Sequence, residues 1–372
     1  MTAVFRPIIF SLSELFAFTG VIIDPYVTLA AVTDSLGDKL GWVGVTMMLG
    51  FLVNIILVAL NKITRMHALF LTGHVMFLQS ALLTWLVYYY FELDFQWTVG
   101  IAGLLIGLYW TVGAQLNVKP TQIISGNAGF TVAHQQHLMN WIAWKVSPII
   151  GDPKQSIDSI KFPNWLEDFK DVKVSVPIVM SLFFTPLLLM LGQERLKVLA
   201  DSDAWLLYIP IVALSFGAFM VIINLGISMF VKEISESFKG ISMKLLPNAI
   251  IGVDGMAVAP YSPNAVVAGF VVCALGQIMG IAGLLLMRSP IFIIPGFIPM
   301  FFDAAITAVF ADKFGGWKAV VVISFFVGLI QIFGSAWAAE NSGLIGGWMG
   351  NTDWATIWPL VMMGMKAISP LH

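Results

Sequence analysis

Long apolar runs alternate along this chain with short polar interruptions. Residues 42–60, 97–115, 264–287, 291–311 and 316–337 each predict an apolar helix near the roughly 20 residues that a bilayer span requires. Residues 68–91 predict a further span, interrupted at Thr72-Gly73-His74 and closed by Tyr88-Tyr89-Tyr90, an aromatic belt of the kind found at membrane interfaces. Residues 174–191 and 205–231 complete the set. Residues 5–38 are only moderately apolar, with Glu14, Asp24 and Asp34 embedded, and predict irregular or re-entrant helix. The spacing of Gly100, Gly103, Gly107 and Gly113 predicts a helix face that a neighbouring backbone approaches closely.

The interruptions divide into two kinds. Residues 61–67 and 232–244 are basic-tilted and read as cytoplasmic loops. Residues 145–173 are the longest hydrophilic segment, and their Phe-Pro-Asn-Trp-Leu-Glu-Asp-Phe centre predicts a short helix on the membrane surface. Residues 119–141 differ, because His134, Gln135, Gln136, His137, Asn127 and Gln122 lie between apolar segments with two glycines among them. Backbone this polar is tolerated at membrane depth only where protein buries it or it lines a wet cavity. Residues 248–263 are a second broken segment, holding Asp254, Pro260 and Pro263, and residues after 340 fade into a glycine-rich tail.

Composition fixes the class. The 372 residues are 59% hydrophobic and 11% charged, against about 25% charged in soluble domains. The chain reads as an all-α polytopic membrane protein. A net charge of -2 and the lack of a polybasic run exclude a nucleic-acid partner, and the single cysteine, Cys273, excludes a disulfide framework or cysteine metal cluster. No phosphate-cradling glycine loop, nucleophile triad or zinc-protease helix is present.

Laid side by side, the halves share landmarks: Asp24 and Asp254, Lys62 and Arg288, Gly73 and Gly296, Trp97 and Trp317, at offsets of 230, 226, 223 and 220 residues. This suggests a duplication, with repeat halves at about 20–145 and 174–340. If both polar stretches re-enter without crossing, the halves are inverted, as in many secondary transporters. Arg288 then faces outward, against the positive-inside rule.

Four residues stand out by cost. His74 lies inside a span, and Asp254 is an isolated carboxylate among apolar neighbours; such groups mark function or else a structural hydrogen bond or cap. His134 and His137, three apart, share a face if helical, flanked by Gln135 and Gln136. Imidazoles and amides both donate and accept, which suits a hydroxyl-rich solute; the pair could also ligate a metal with Asp254 as a distant partner. Asp24, with Tyr26 nearby, holds the place of Asp254 in the first half. Gln79, five residues after His74 and off its face, means little alone. Pro295, Gly296 and Pro299 read as helix breakers, and Cys273 as packing.

Several strings, in order across almost the whole chain, resemble the IIC permease family of the L-ascorbate phosphotransferase system: TGHVMF at 72–77, LYWTVGAQLNVKPTQ at 108–122, GFTVAHQQHLMNWIAWKVSP at 129–148, FVKEISESFKGIS at 230–242, APYSPNAVVAGF at 259–270, IIPGFIPMFFDAAITAVFADKFGGW at 293–317 and WMGNTDW at 348–354. The resemblance implies a multi-pass homodimer in the bacterial cytoplasmic membrane, built of inverted repeats with broken helices and divided into a core domain and a V-shaped domain. It implies binding and alternating-access transport of L-ascorbate, with no cofactor or metal. A phosphoryl group would come from a separate IIB protein, itself served by IIA. The family's binding positions fall on Tyr26, His74, His134, Gln135 and Asp254, and their surroundings on Asp24, Pro25, Val75, Met76, Phe77, Leu78, Gln79 and Gln136.

Two positions depart from that pattern: Pro25 stands where the family has threonine, and Leu78 where it has glutamine, with Gln79 adjacent. Such losses alter discrimination. The chain begins inside the family pattern and stops before its final helix, so the resemblance implies that helices of the V-shaped, dimerising domain lie outside this sequence. A rival reading is a proton-coupled carrier of polar solutes, with His74 and Asp254 as proton relay and no phosphoryl donor. A second rival is an intramembrane metalloenzyme built on His134, His137 and Asp254.

Overall fold

The computed structural model describes residues 19–160, 188–212, 248–296 and 298–371, with a few single positions outside these ranges. The surface helix expected around residues 163–170, the basic loop at 232–244 and most of the spans at 174–191 and 205–231 lie outside the described residues. The described chain is mostly helical: α1 (Pro25–Leu36), α2 (Trp42–Ala59), α3 (Gly73–Phe91), α4 (Phe95–Ser125), α5 (His137–Ile150), α6 (Gln193–Ala200), α7 (Pro263–Leu286), α8 (Ala304–Asn341) and α9 (Ile357–Ile368). Among the described residues, four stretches are long and apolar enough to cross a membrane: Pro25–Ala59, Phe95–Ser125, Pro263–Leu286 and Pro299–Asn341.

The expectation of an all-α fold holds for the mostly helical body but not throughout, because among the described residues six short strands form two three-stranded parallel sheets. One has the order β5-β1-β6, with β1 (Thr19–Ile23) between β5 (Ile291–Pro295) and β6 (Gly347–Trp348). The other has the order β2-β4-β3, with β4 (Ile250–Val253) between β2 (Ala68–Phe70) and β3 (Phe130–Val132). Each central strand thus comes from one half of the chain and its two flanking strands from the other. Exchanging first-half strands for their second-half counterparts converts one sheet into the other. The physical reason for strands here is backbone satisfaction: where a helix breaks away from water, inter-strand bonds replace the lost intrahelical ones.

Several boundaries move. The polar stretch opening at Lys119 is not a loop at first, since α4 runs through Pro120 to Ser125 and ends at Gly126 in the left-handed region (φ 64°). The glycine-rich tail does not fade: it forms β6, a 3₁₀ turn at Thr352–Ala355 and α9. The break foreseen between residues 311 and 316 is a kink at Gly316 (φ 66°), where a Cβ would meet the Asp152 and Gln155 carbonyls. Pro295 ends β5, while Pro299 opens a π-helical turn, Pro299–Asp303, a rare wide turn that often marks functional sites.

The glycine face of α4 behaves as expected in part. Gly107 packs on the Gly50 carbonyl and the Val53 side chain of α2, while Gly100 meets open space. Two large apolar clusters fill the interior. Helices α2, α3 and α4 build one, with Trp354, Trp358 and Met362 of the C-terminal segment packed into it. Helices α7 and α8 build the other, with Met139 and Ala143 of α5. The last helix of each half therefore packs against the opposite half.

Candidate functional site

Parallel strands end at the same edge of a sheet, and this alone gathers the residues that sequence holds far apart. The chain leaves β2 for Thr72-Gly73-His74, β3 for Ala133-His134-Gln135-Gln136, and β4 for Asp254. At that edge His74 Nε2 and His134 Nε2 each lie 3.7 Å from Asp254 Oδ2. Asp254 is 1% exposed and His134 3%, while the His74 side chain is 38% exposed and opens the cluster to its surroundings.

The two oxygens of Asp254 have different work. Oδ1 accepts the Met256 N–H at 2.9 Å and so caps the 3₁₀ turn Gly255–Tyr261. Oδ2 is buried with no hydrogen-bond partner among the described residues. The Gln135 Oε1 and Gln136 Nε2 atoms are also buried without one. Buried polar atoms left unmatched cost about 1–3 kcal/mol each, more when charged, so these atoms are open to a further partner, a ligand or an ordered water.

Asp24 shows the contrast. It occupies the equivalent place after β1, is 4% exposed, and caps α1 by accepting the Tyr26 and Val27 N–H groups at 2.9 and 3.2 Å. Tyr26 is 41% exposed. Pro25 is the first residue of α1, buried and suited to that position.

His134 and His137 do not share a helix face, contrary to expectation, because His134 lies in the loop after β3 and α5 starts only at His137. Nor does His137 join Asp254. Its Nε2 accepts the His134 N–H at 3.3 Å, and its Nδ1 lies 3.3 Å from Asp353 Oδ2. Asp353 also accepts from the His137 and Leu138 N–H groups at 2.8 and 3.1 Å, capping α5 from a distant segment, and from the Tyr109 hydroxyl at 2.7 Å. Its own N–H donates to the Gln135 carbonyl at 3.0 Å. Asp303 in turn holds the segment before it, accepting from Asn351 Nδ2 at 2.7 Å and the Thr352 N–H at 2.5 Å.

Gln79 turns out to matter. Fully buried, it donates from Nε2 to the His134 carbonyl at 3.4 Å and accepts the Trp110 indole at 2.5 Å. Its distance from His74 along α3 misled, because its partner comes from another element. Val75, Met76 and Leu78 are buried in the apolar cluster, and Phe77 is 38% exposed. The supporting residues Tyr109, Trp110, Asp303 and Asp353 gave no periodic signal. Only the polar Asn351-Thr352-Asp353 run inside an aromatic stretch hinted at one of them, Asp353.

His74, His134 and Asp254 also offer three ligand atoms, all within 4.8 Å of one another. Ligands of tetrahedral zinc stand about 3.4 Å apart, from bonds of about 2.0–2.1 Å. The set would have to close slightly to hold such an ion.

The broken-helix bundle thus carries a buried polar cluster at its strand ends, within a chain whose long apolar helices mark a membrane protein. The chain matches the PTS system sugar-specific permease component family, EIIC-GAT, over residues 1–357, and belongs to it. It is 29% identical over 376 residues to the ascorbate-specific PTS system EIIC component of Mycoplasma pneumoniae, an alignment covering 88% of this chain and 56% of that protein. The chain thus spans little more than half the length of this curated relative.

Proposed function

We propose that the chain is the membrane-embedded solute-binding part of a phosphotransferase-system permease. It carries L-ascorbate, or a closely related polyhydroxy solute, across a bacterial cytoplasmic membrane. The observation that carries this reading is Asp254 Oδ2, buried and unmatched between two histidine nitrogens 3.7 Å away. A hydroxylated solute supplies the missing donors. Family membership supports the transport class, and the name of the Mycoplasma relative supports the solute.

The solute contacts His74, His134, Gln135 and Asp254, with Tyr26 approaching from the other sheet. The halves form inverted repeats, supported by the landmark offsets and by the exchange of strands between the two sheets. The repeats make up a core domain that moves against a V-shaped domain of a homodimer. On the cytoplasmic side, a solute hydroxyl attacks phosphorus on a phosphocysteine of a separate IIB protein, recharged by IIA. The new O–P bond forms as the S–P bond breaks, and the hydroxyl proton leaves through hydrogen bonding to Asp254 or water.

The deciding experiment is uptake of radiolabelled L-ascorbate by cells lacking their own permease, with and without phospho-IIB. IIB-dependent accumulation of ascorbate phosphate is the expected result. Absence of uptake that persists when the family's flanking helices are supplied refutes the solute. The two rings beside one carboxylate also favour a second reading, a proton-coupled carrier, because such clusters hold and pass protons. Uptake that survives loss of IIB but collapses with the proton gradient would establish it.

A further inference from the structure

The ring of His134 is held from its far side. Its Nδ1 lies 2.9 Å from Gln136 Oε1, and the same oxygen accepts the Gln135 backbone N–H at 2.8 Å. A backbone N–H only donates, so the atom it meets is the amide oxygen and not the amide nitrogen. An amide oxygen only accepts. The hydrogen shared with His134 therefore belongs to the imidazole, on Nδ1. In the neutral ring Nε2 then carries a lone pair, and it faces Asp254 Oδ2 at 3.7 Å. Two acceptors confront each other with no hydrogen between them. Were the ring the other tautomer, its Nε2–H would point at the carboxylate and close the site without any ligand.

We propose that Gln136 is a positioning residue: it fixes His134 as an acceptor, so that the site selects a solute presenting neutral vicinal hydroxyls. Such a diol donates one hydrogen to Asp254 Oδ2 and one to His134 Nε2. A carboxylate or phosphate group, which only accepts, has nothing to offer there and is repelled by Asp254. The proposal rests on the reading of this cluster as the solute site, but the state of the His134 ring does not depend on what the solute is. Gln136, expected near the solute, acts through the imidazole as well: its oxygen is spent on His134 and Gln135, while its Nε2 has no partner among the described residues.

The test uses the full chain in lipid nanodiscs with ¹⁵N-labelled histidine. The His134 signals are assigned by comparison with His134→Gln, and the tautomer is read without solute. The expected result is Nδ1–H in the native protein and in Gln136→Glu, which keeps an acceptor, and loss of that preference in Gln136→Leu. L-ascorbate then binds at least tenfold more weakly to Gln136→Leu, with Gln136→Glu restoring most of the loss. The 5,6-O-isopropylidene derivative, whose vicinal hydroxyls are blocked, binds the native protein at least tenfold more weakly than L-ascorbate. An Nε2–H or doubly protonated His134 in the native protein overturns the proposal even if L-ascorbate binds, as does equal binding of the blocked derivative. An Nδ1–H ring with no binding of L-ascorbate upholds the acceptor assignment and overturns the solute reading alone.

Discussion

Replacing Asp254 by asparagine separates a ligand-binding role from a structural one, because the two predict opposite signs. The asparagine oxygen can take the place of Oδ1 and keep the cap on the Met256 N–H, now 2.9 Å away. The amide nitrogen then replaces the unmatched Oδ2 and turns a donor toward His134 Nε2 and His74 Nε2, each 3.7 Å from that position. The solute-free protein loses an unmatched buried charge, which costs several kcal/mol when unpaired, and gains a contact. Its stability should rise. The solute loses an acceptor whose charged hydrogen bond is worth about 1.5–3 kcal/mol, or roughly 10- to 150-fold in Kd at 1.4 kcal/mol per tenfold. Titration calorimetry on purified protein measures the affinity, and thermal unfolding in the same detergent measures the stability. Affinity within about threefold of native would refute the reasoning, on the tenfold floor set above. Lower stability together with lower affinity would show instead that the carboxylate mainly holds the fold.

The other predictions address how the site is supported. Asp353→Asn leaves one acceptor oxygen for three donors, the His137 and Leu138 N–H groups and the Tyr109 hydroxyl; the expected loss is about 2–4 kcal/mol, read by denaturant unfolding. Tyr109→Phe removes only one of those bonds and should cost about 1–1.5 kcal/mol; equal losses in the two variants would contradict the shared-acceptor picture. Gly113→Ala puts a methyl group onto the His137 ring, at 2.5 Å from Nδ1, and should cost about 1–3 kcal/mol. It should also weaken solute binding, because His137 Nε2 holds the His134 N–H; native affinity in this variant would argue against that coupling. Zinc should compete with the solute through His74, His134 and Asp254, and His134→Gln should abolish the competition in the same calorimetric titration.

Much of the candidate site was legible because burial of polar groups is costly wherever it occurs. His74, His134 and Asp254 each interrupt an apolar run, and the structure brings all three together. Cost of burial did not separate Asp254 from Asp24, since both are carboxylates following a short apolar segment. Their surroundings differ: Asp24 Oδ1 takes two N–H groups, whereas Asp254 Oδ1 takes one and its buried Oδ2 lies 3.7 Å from two histidine nitrogens. His137 was misplaced for a related reason. Spacing of three implies a shared face only inside a helix, and the helix begins at His137 itself. Asp353 was passed over and Gln79 was placed only among the surroundings, because their partners lie 216 and 55 positions away along the chain.

The sequence by itself determined the environment and the breakpoints. Apolar runs of spanning length and few charges dictated a membrane protein of long helices, and glycine, proline and polar residues marked where those helices stop. Local chemistry suffices for this, since hydropathy and backbone freedom act within a turn or two. Tertiary structure decided what meets at the breaks. Strands of two to five residues are too short for a period to register, and their partners lie in the opposite half, as with Ala68 and Ile250 or Thr19 and Ile291. Their parallel pairing aligns the strand ends, and that alignment sets His74, His134 and Asp254 around one unmatched oxygen.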